Sequence, residues 1–95
     1  MYGTVMIGRL RASREELLAA AKAWQEERQV PGFLREDVLF GDDGTTVVTP
    51  VWFSSEEAYR RLAQDPEQDT FWQTRFAPLL DGDPQWIDGA WAGLM

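Results

Sequence analysis

Thr45-Thr46-Val47-Val48-Thr49-Pro50-Val51-Trp52-Phe53 runs directly into Ser54-Ser55-Glu56-Glu57-Ala58-Tyr59-Arg60-Arg61-Leu62-Ala63. The first half has a period of two, with Thr49, Val51 and Phe53 on one face and Val48, Pro50 and Trp52 on the other, which predicts a strand over 45–53. In the second half the period lengthens. Ser54-x-x-Glu57 has the form of a capping box, and Ala58, Tyr59, Leu62 and Ala63 share one face of a short helix. Pro50 conflicts with a central strand because it has no N–H for the ladder, so a bulge or local break is expected there.

Upstream, Asp42-Asp43-Gly44 reads as a hairpin connection, with Gly44 taking the positive φ that such loops require. It joins the strand to an earlier one over 33–40, where Arg35 and Asp37 oppose Leu34, Val38 and Phe40. The pair Pro31-Gly32 is a turn. Before it, Ser13-x-x-Glu16 caps a helix whose Leu17, Ala20, Ala21 and Trp24 recur at helical spacing, and Tyr2 to Leu10 forms a first strand. Downstream, Asp65-Pro66 opens a further helix bearing Phe71, Trp72, Phe76, Leu79 and Leu80. The loop Asp81-Gly82-Asp83-Pro84 leads to a last strand over 86–94, with Trp86 and Leu94 on one face and Ile87 and Trp91 on the other.

The order β-α-β-β-α-β is the ferredoxin-like arrangement of the α+β class: a four-stranded antiparallel sheet with helices on one face. With 95 residues the chain makes a single domain over 1–95. Three strands carry apolar groups on both faces, and the helices cover only one. A second sheet is the cover this implies, so a homodimer pairing into an α/β barrel is expected.

Composition narrows the chemistry. Nine Lys plus Arg against sixteen Asp plus Glu leave a net charge of −7, which disfavours nucleic acid and anionic membranes as partners. The chain has no His and no Cys, and no Asn either. Disulfides, Cys/His zinc sites, His-ligated haem and His-based triads are thereby excluded, so no cofactor and no metal site is expected. The acidic pairs Glu15-Glu16, Glu26-Glu27, Asp42-Asp43 and Glu56-Glu57 fall on helix starts, helix faces or a hairpin tip, where capping and turn roles account for them. No apolar run approaches membrane-spanning length and no signal-peptide layout is present, which reads as a cytoplasmic protein.

Val30-Pro31-Gly32-Phe33, Gly44-Thr45-Thr46-Val47-Val48, Ser55-Glu56-Glu57-Ala58-Tyr59 and Asp65-Pro66 together resemble the antibiotic biosynthesis monooxygenase family of the dimeric α/β-barrel superfamily. The pattern is most similar to that of the anthrone oxygenases of aromatic polyketide pathways, which oxidise a phenolic substrate with dioxygen and use neither metal nor flavin. Matched without gaps from Val47, the family's strand Asn falls on Thr49 and its strand Trp on Phe53. Its helix Tyr falls on Tyr59, which is kept, and its Arg falls on Trp72, with Arg75 nearby. Trp52 does not replace the missing Trp, since one step along a strand turns a side chain to the opposite face. The haem-degrading branch fits less well, for want of a His or an Asn.

With this resemblance, Thr49, Val51 and Phe53 come under the helices. Together with Tyr59 and Trp72 they either line a pocket for a planar aromatic or lipophilic molecule, or fill the space as core. Tyr59 is the candidate catalytic residue, its phenol able to donate a hydrogen bond or exchange a proton. Arg75 would hold a substrate anion, or else join a surface ion pair. The activity implied is a cofactor-independent monooxygenase. The alternative is a non-catalytic small-molecule-binding or accessory protein on the same dimeric fold.

Overall fold

The computed structural model describes residues 1–94. In chain order the elements are β1 (Tyr2–Arg9), α1 (Arg14–Arg28), β2 (Phe33–Glu36), β3 (Leu39–Phe40), β4 (Thr46–Phe53), α2 (Glu56–Ala63), α3 (Pro66–Phe71) and β5 (Gln85–Ala90). A π-helical turn over Trp72–Phe76 and a 3-10 turn over Ala77–Leu79 lie between α3 and β5. Strand order is β2-β4-β1-β5, with β3 pairing β4 beyond β2. Every pairing is antiparallel, and the ferredoxin-like arrangement read from the sequence is the one observed.

The alternation in β4 is realised residue by residue: Val47, Thr49, Val51 and Phe53 are buried, and the residues between them are half-buried. Its inward face packs with Met6 of β1, with Leu17, Ala20, Ala21 and Trp24 of α1, with Leu62 of α2, and with Phe71, Phe76 and Leu80. Phe53, Leu17 and Val47 are the most completely enclosed. Withdrawing side chains of this size from water stabilises the fold by about 1.5–3 kcal/mol each.

Pro50 produces no break in β4. The interruption falls on its neighbour instead: the strand expected over 33–40 divides at Asp37-Val38 into β2 and β3. The Asp37 N–H donates to the Pro50 carbonyl at 3.1 Å. Since the amide and carbonyl of one strand residue point to the same side, the donor that Pro50 lacks would face this gap. On the other edge Pro50 pairs with Val5 in an unbroken register.

Other expectations shift by small steps. The second helix is capped by Ser55, whose hydroxyl accepts from the Ala58 N–H at 3.1 Å, one residue later than the Ser54 box. The third helix is α-helical only to Phe71. Pro78 has no N–H to give the Thr74 carbonyl, and its ring would collide with that carbonyl in an α-turn, so the chain loosens into the π turn before it. The last strand stops at Ala90, which faces Tyr2 at the start of β1. Trp91 then turns back: its indole stacks on Trp52 with centroids 4.6 Å apart and donates to the Val51 carbonyl at 3.1 Å.

The remaining local signals behave as read. Ser13 and Glu16 form the reciprocal capping box of α1. At the hairpin tip the Asp43 carboxylate accepts from the Thr45 and Thr46 amides, and its pKa is lowered to about 2, first by the Thr46 hydroxyl and then by those N–H groups. Gly44 holds φ at 82°. The C-terminal end of α1 is tied to the start of α3 by Arg28, which reaches Asp65 at 2.7 Å and Glu67 at 2.8 Å.

Candidate functional site

Side chains on the inward face of the sheet line up in rows across the strands. One row reads Phe33, Phe53, Tyr2, Ala90; the next reads Glu36, Val51, Thr4, Asp88; a third carries Thr49, Met6 and Trp86. Helices α1 to α3 do not close down on these rows completely. They leave a cavity of about 490 Å³, floored by the second and third rows and walled by Leu17, Ala21, Trp24, Tyr59, Leu62 and Trp72 among others. That volume lies within the range that holds a drug-sized ligand.

The walls are mostly apolar and partly fastened to one another. Trp24 donates its indole N–H to Gln68 Oε1 at 2.7 Å, linking α1 to α3 across the cavity. Trp72 stacks on Phe76 and meets Trp86 edge to face at 5.0 Å. Trp86, 46% exposed, marks where the cavity meets solvent.

Polar groups gather at two places. At the β5 end, the Tyr59 hydroxyl donates to Asp88 Oδ1 at 2.8 Å, and the Thr4 hydroxyl lies 2.8 Å from the same oxygen. The Tyr59 ring rests edge-on against Phe53 and tilted against Tyr2. Burial, and then the negative charge of Asp88 that the phenol bonds, push the Tyr59 pKa up to about 12, so it stays protonated at neutral pH. At the β2 end stands Glu36, whose Oε1 is buried and has no hydrogen-bond partner. Burial pushes its carboxyl up to about 7, a hydrogen bond from Gln25 working against that and the charge of Asp37 adding to it.

Thr49, Val51, Phe53, Tyr59 and Trp72 all line this one cavity. Arg75 is not brought to it: its guanidinium lies over the Phe71 ring at 4.9 Å and pairs with Glu27 at 3.6 Å. The lining residues include the carboxylates Glu36, Asp69 and Asp88 and no Lys or Arg. Among the described residues no group of three or more His, Cys, Asp or Glu is placed to hold a metal ion.

Thr4, Asp88 and Glu36 were missed by sequence reasoning, although the signal was present. Asp88 shares strand parity with Trp86, and Glu36 shares it with Leu34 and Val38, so each places an acid on a face read as apolar. The half-buried Glu36 is costly to desolvate and calls for a reason, whereas Asp88, on an exposed strand, keeps access to water.

No family model and no curated protein matches the sequence. Solved structures do match. A monooxygenase from Streptomyces coelicolor, the ActVA-Orf6 product solved in complex with nanaomycin D, aligns with a TM-score of 0.76 at 25% identity, over 99% of this chain and 89% of that one. SnoaB, a cofactor-independent oxygenase from Streptomyces nogalater, aligns at 0.73 and 16% identity, over 100% and 98%. A Nitrosomonas europaea protein assigned to the antibiotic biosynthesis monooxygenases aligns at 0.65 and 16%, over 98% and 89%. These neighbours bear out the resemblance to the antibiotic biosynthesis monooxygenases and the ferredoxin-like fold.

Proposed function

We propose that this chain, which carries the antibiotic biosynthesis monooxygenase fold, is a cofactor-independent monooxygenase acting as a homodimer on a hydroxylated aromatic, polyketide-like small molecule. The observation that carries the reading is the apolar cavity of about 490 Å³ into which the Tyr59-Asp88-Thr4 cluster is built. Its support from known proteins is that the similar SnoaB is a cofactor-independent oxygenase and that the similar Streptomyces coelicolor monooxygenase was solved with nanaomycin D.

In this reading the substrate lies flat between the sheet and the helices, bounded by Thr49, Val51, Phe53 and Trp72. Tyr59 gives its own hydrogen to Asp88, so its oxygen offers lone pairs to a substrate hydroxyl. A proton can then pass from the substrate to the Tyr59 oxygen while the Tyr59 proton moves to Asp88, leaving an electron-rich phenolate and a neutral carboxyl. The phenolate is the reductant for dioxygen. A ring methylene becomes a carbonyl: one oxygen atom enters the product, and the other leaves as water with the two methylene hydrogens.

Thr49, Phe53 and Trp72 stand where the resemblance expects Asn, Trp and Arg, and this favours a second reading, a binding protein without chemistry. Oxygen uptake by chelator-treated protein with hydroxylated anthrones decides between them. Uptake matched by ketone formation supports the oxygenase, whereas saturable binding with no uptake supports the binding protein.

A further inference from the structure

The mechanism above leaves one half-buried titratable group of the cavity, Glu36, unused. Glu36 and Asp88 end the same row, Glu36-Val51-Thr4-Asp88, with Glu36 on β2 and Asp88 on β5 at the opposite edge of the sheet. Three strand spacings separate their Cα atoms, roughly 14 Å. The cavity therefore has a hydrogen-bond-accepting group at each end of its floor and an apolar middle made by Val51 and the helices.

The two ends differ in how well they are satisfied. Asp88 already accepts from Tyr59 and Thr4. Around Glu36, β4 sets Val51 opposite it, α1 presents the Gln25 amide, and the neighbouring charge is the like charge of Asp37, whose own partner is Arg35 at 2.9 Å. Its Oε1 remains buried and unbonded. A buried acceptor in this state is disfavoured until something donates to it.

We propose that Glu36 is a specificity-determining residue that accepts a hydrogen bond from a second hydroxyl of the ligand, so that the cavity selects flat aromatic molecules carrying donors at both ends and rejects anionic ones. The proposal rests on the reading of this cavity as the ligand site. The elevated carboxyl of Glu36 is consistent with a desolvated group, one of whose oxygens lacks a donor in the free protein. Rejection of anions follows from a lining with three carboxylates and no cation.

Three neutral or charged biphenyls test it, with affinity read from quenching of tryptophan fluorescence at pH 8, where Glu36 is ionised. They are 4,4′-dihydroxybiphenyl, 4-hydroxybiphenyl and 4′-hydroxybiphenyl-4-carboxylate. The diol is expected to bind roughly 10-fold or more tightly than the mono-ol, a hydrogen bond to a charged acceptor being the difference, and the carboxylate more weakly than both. Glu36→Leu should abolish the preference for the diol and leave mono-ol affinity equal or better, while Glu36→Gln, still an acceptor, keeps part of it. Equal affinities for diol and mono-ol in the wild type, or a preference that survives Glu36→Leu, would overturn the assignment while leaving the oxygenase proposal standing. Absence of saturable binding by all three would overturn the assignment, with the oxygenase then judged by oxygen uptake alone. Failure of the oxygen-uptake assay with the diol preference intact would remove the oxygenase alone.

Discussion

Tyr59 keeps its proton because two effects act in the same direction: the ring is withdrawn from water, and the oxygen it bonds belongs to a carboxylate. Tyr59→Phe preserves the ring that packs on Phe53 and Tyr2 but breaks the path to Asp88. If the chain oxidises a phenol, turnover should fall by roughly 10²-fold or more while the melting temperature changes little, as rates measured beside melting curves would show. Unchanged rates would exclude Tyr59 from the chemistry. At Glu36 the carboxyl titrates near 7 in the folded chain against an ordinary 4.5, so the native state holds the proton more tightly than the unfolded chain. Stability linked to this group is therefore complete below about pH 4.5 and is lost as pH rises to about 7. Glu36→Gln has no such titration. Its melting temperature should exceed the wild-type value by more at pH 8 than at pH 4, each kcal/mol recovered raising it by roughly 4–8 °C. An advantage independent of pH would show that Glu36 is not held in a desolvated place.

Elements in this fold end where a specific group stops them: β2 opposite Pro50, α3 before Pro78, β5 at the start of β1. The turn of Trp91 over the outer face depends on Gly3. A Cβ at Gly3 would run into both the Val51 carbonyl and the Trp91 indole nitrogen, the two atoms joined by the hydrogen bond that folds Trp91 back. Gly3→Ala should therefore displace the indole or shift β1 against β4, costing about 1–3 kcal/mol as overpacking does. Chemical denaturation measures the loss, and a changed tryptophan emission would report the indole leaving Trp52. Wild-type stability in Gly3→Ala would mean that Trp91 is held by other contacts. Arg28 does comparable joining work at the far side, where one guanidinium spans Asp65 and Glu67. Since Glu67 is 82% exposed, solvent screening leaves Asp65 the stronger half of that pair.

Viewed as a whole, the molecule is covered by helices on one side of the sheet only. The outer face carries Ile87, Val5 and Pro50 in one row and Ile7, Val48 and Leu39 in the next. Ile87 and Leu39 are half exposed or more, and Trp52 and Trp91 shield only one corner. An apolar expanse of this kind on a 10.9 kDa chain is expected to be covered by a second copy. Light scattering should give twice the chain mass, with an interface on the order of 1,600 Å² in total. Ile7→Asp, directed at the middle of that face, should shift the equilibrium to monomer at micromolar concentration. A wild-type monomer would remove the barrel from the account. The helix-side cavity stands apart from this surface, on the opposite face, and needs no residue of the second copy to bring Tyr59 and Asp88 together.

What the sequence determined by itself is whatever depends on period and local chemistry. The alternation through Val47-Phe53, the Ser13-Glu16 box, the Asp43-Gly44 tip and the βαββαβ order were all legible, because each is settled by neighbours within a few residues. The inward set Thr49, Val51, Phe53, Tyr59 and Trp72 was legible too, once the strand parity and helix face were joined. Tertiary structure alone decided that these residues border open space as well as joining the core, since cavity volume depends on how closely α1 to α3 approach the sheet. It also placed Arg75 on Glu27, away from the site, because an i+3 step from Trp72 is altered by the π turn that Pro78 imposes. The row Glu36-Val51-Thr4-Asp88 was beyond local reasoning for the same kind of cause. Its members come from four strands spread between residues 4 and 88, and only the register of the sheet sets two acids at the ends of one line.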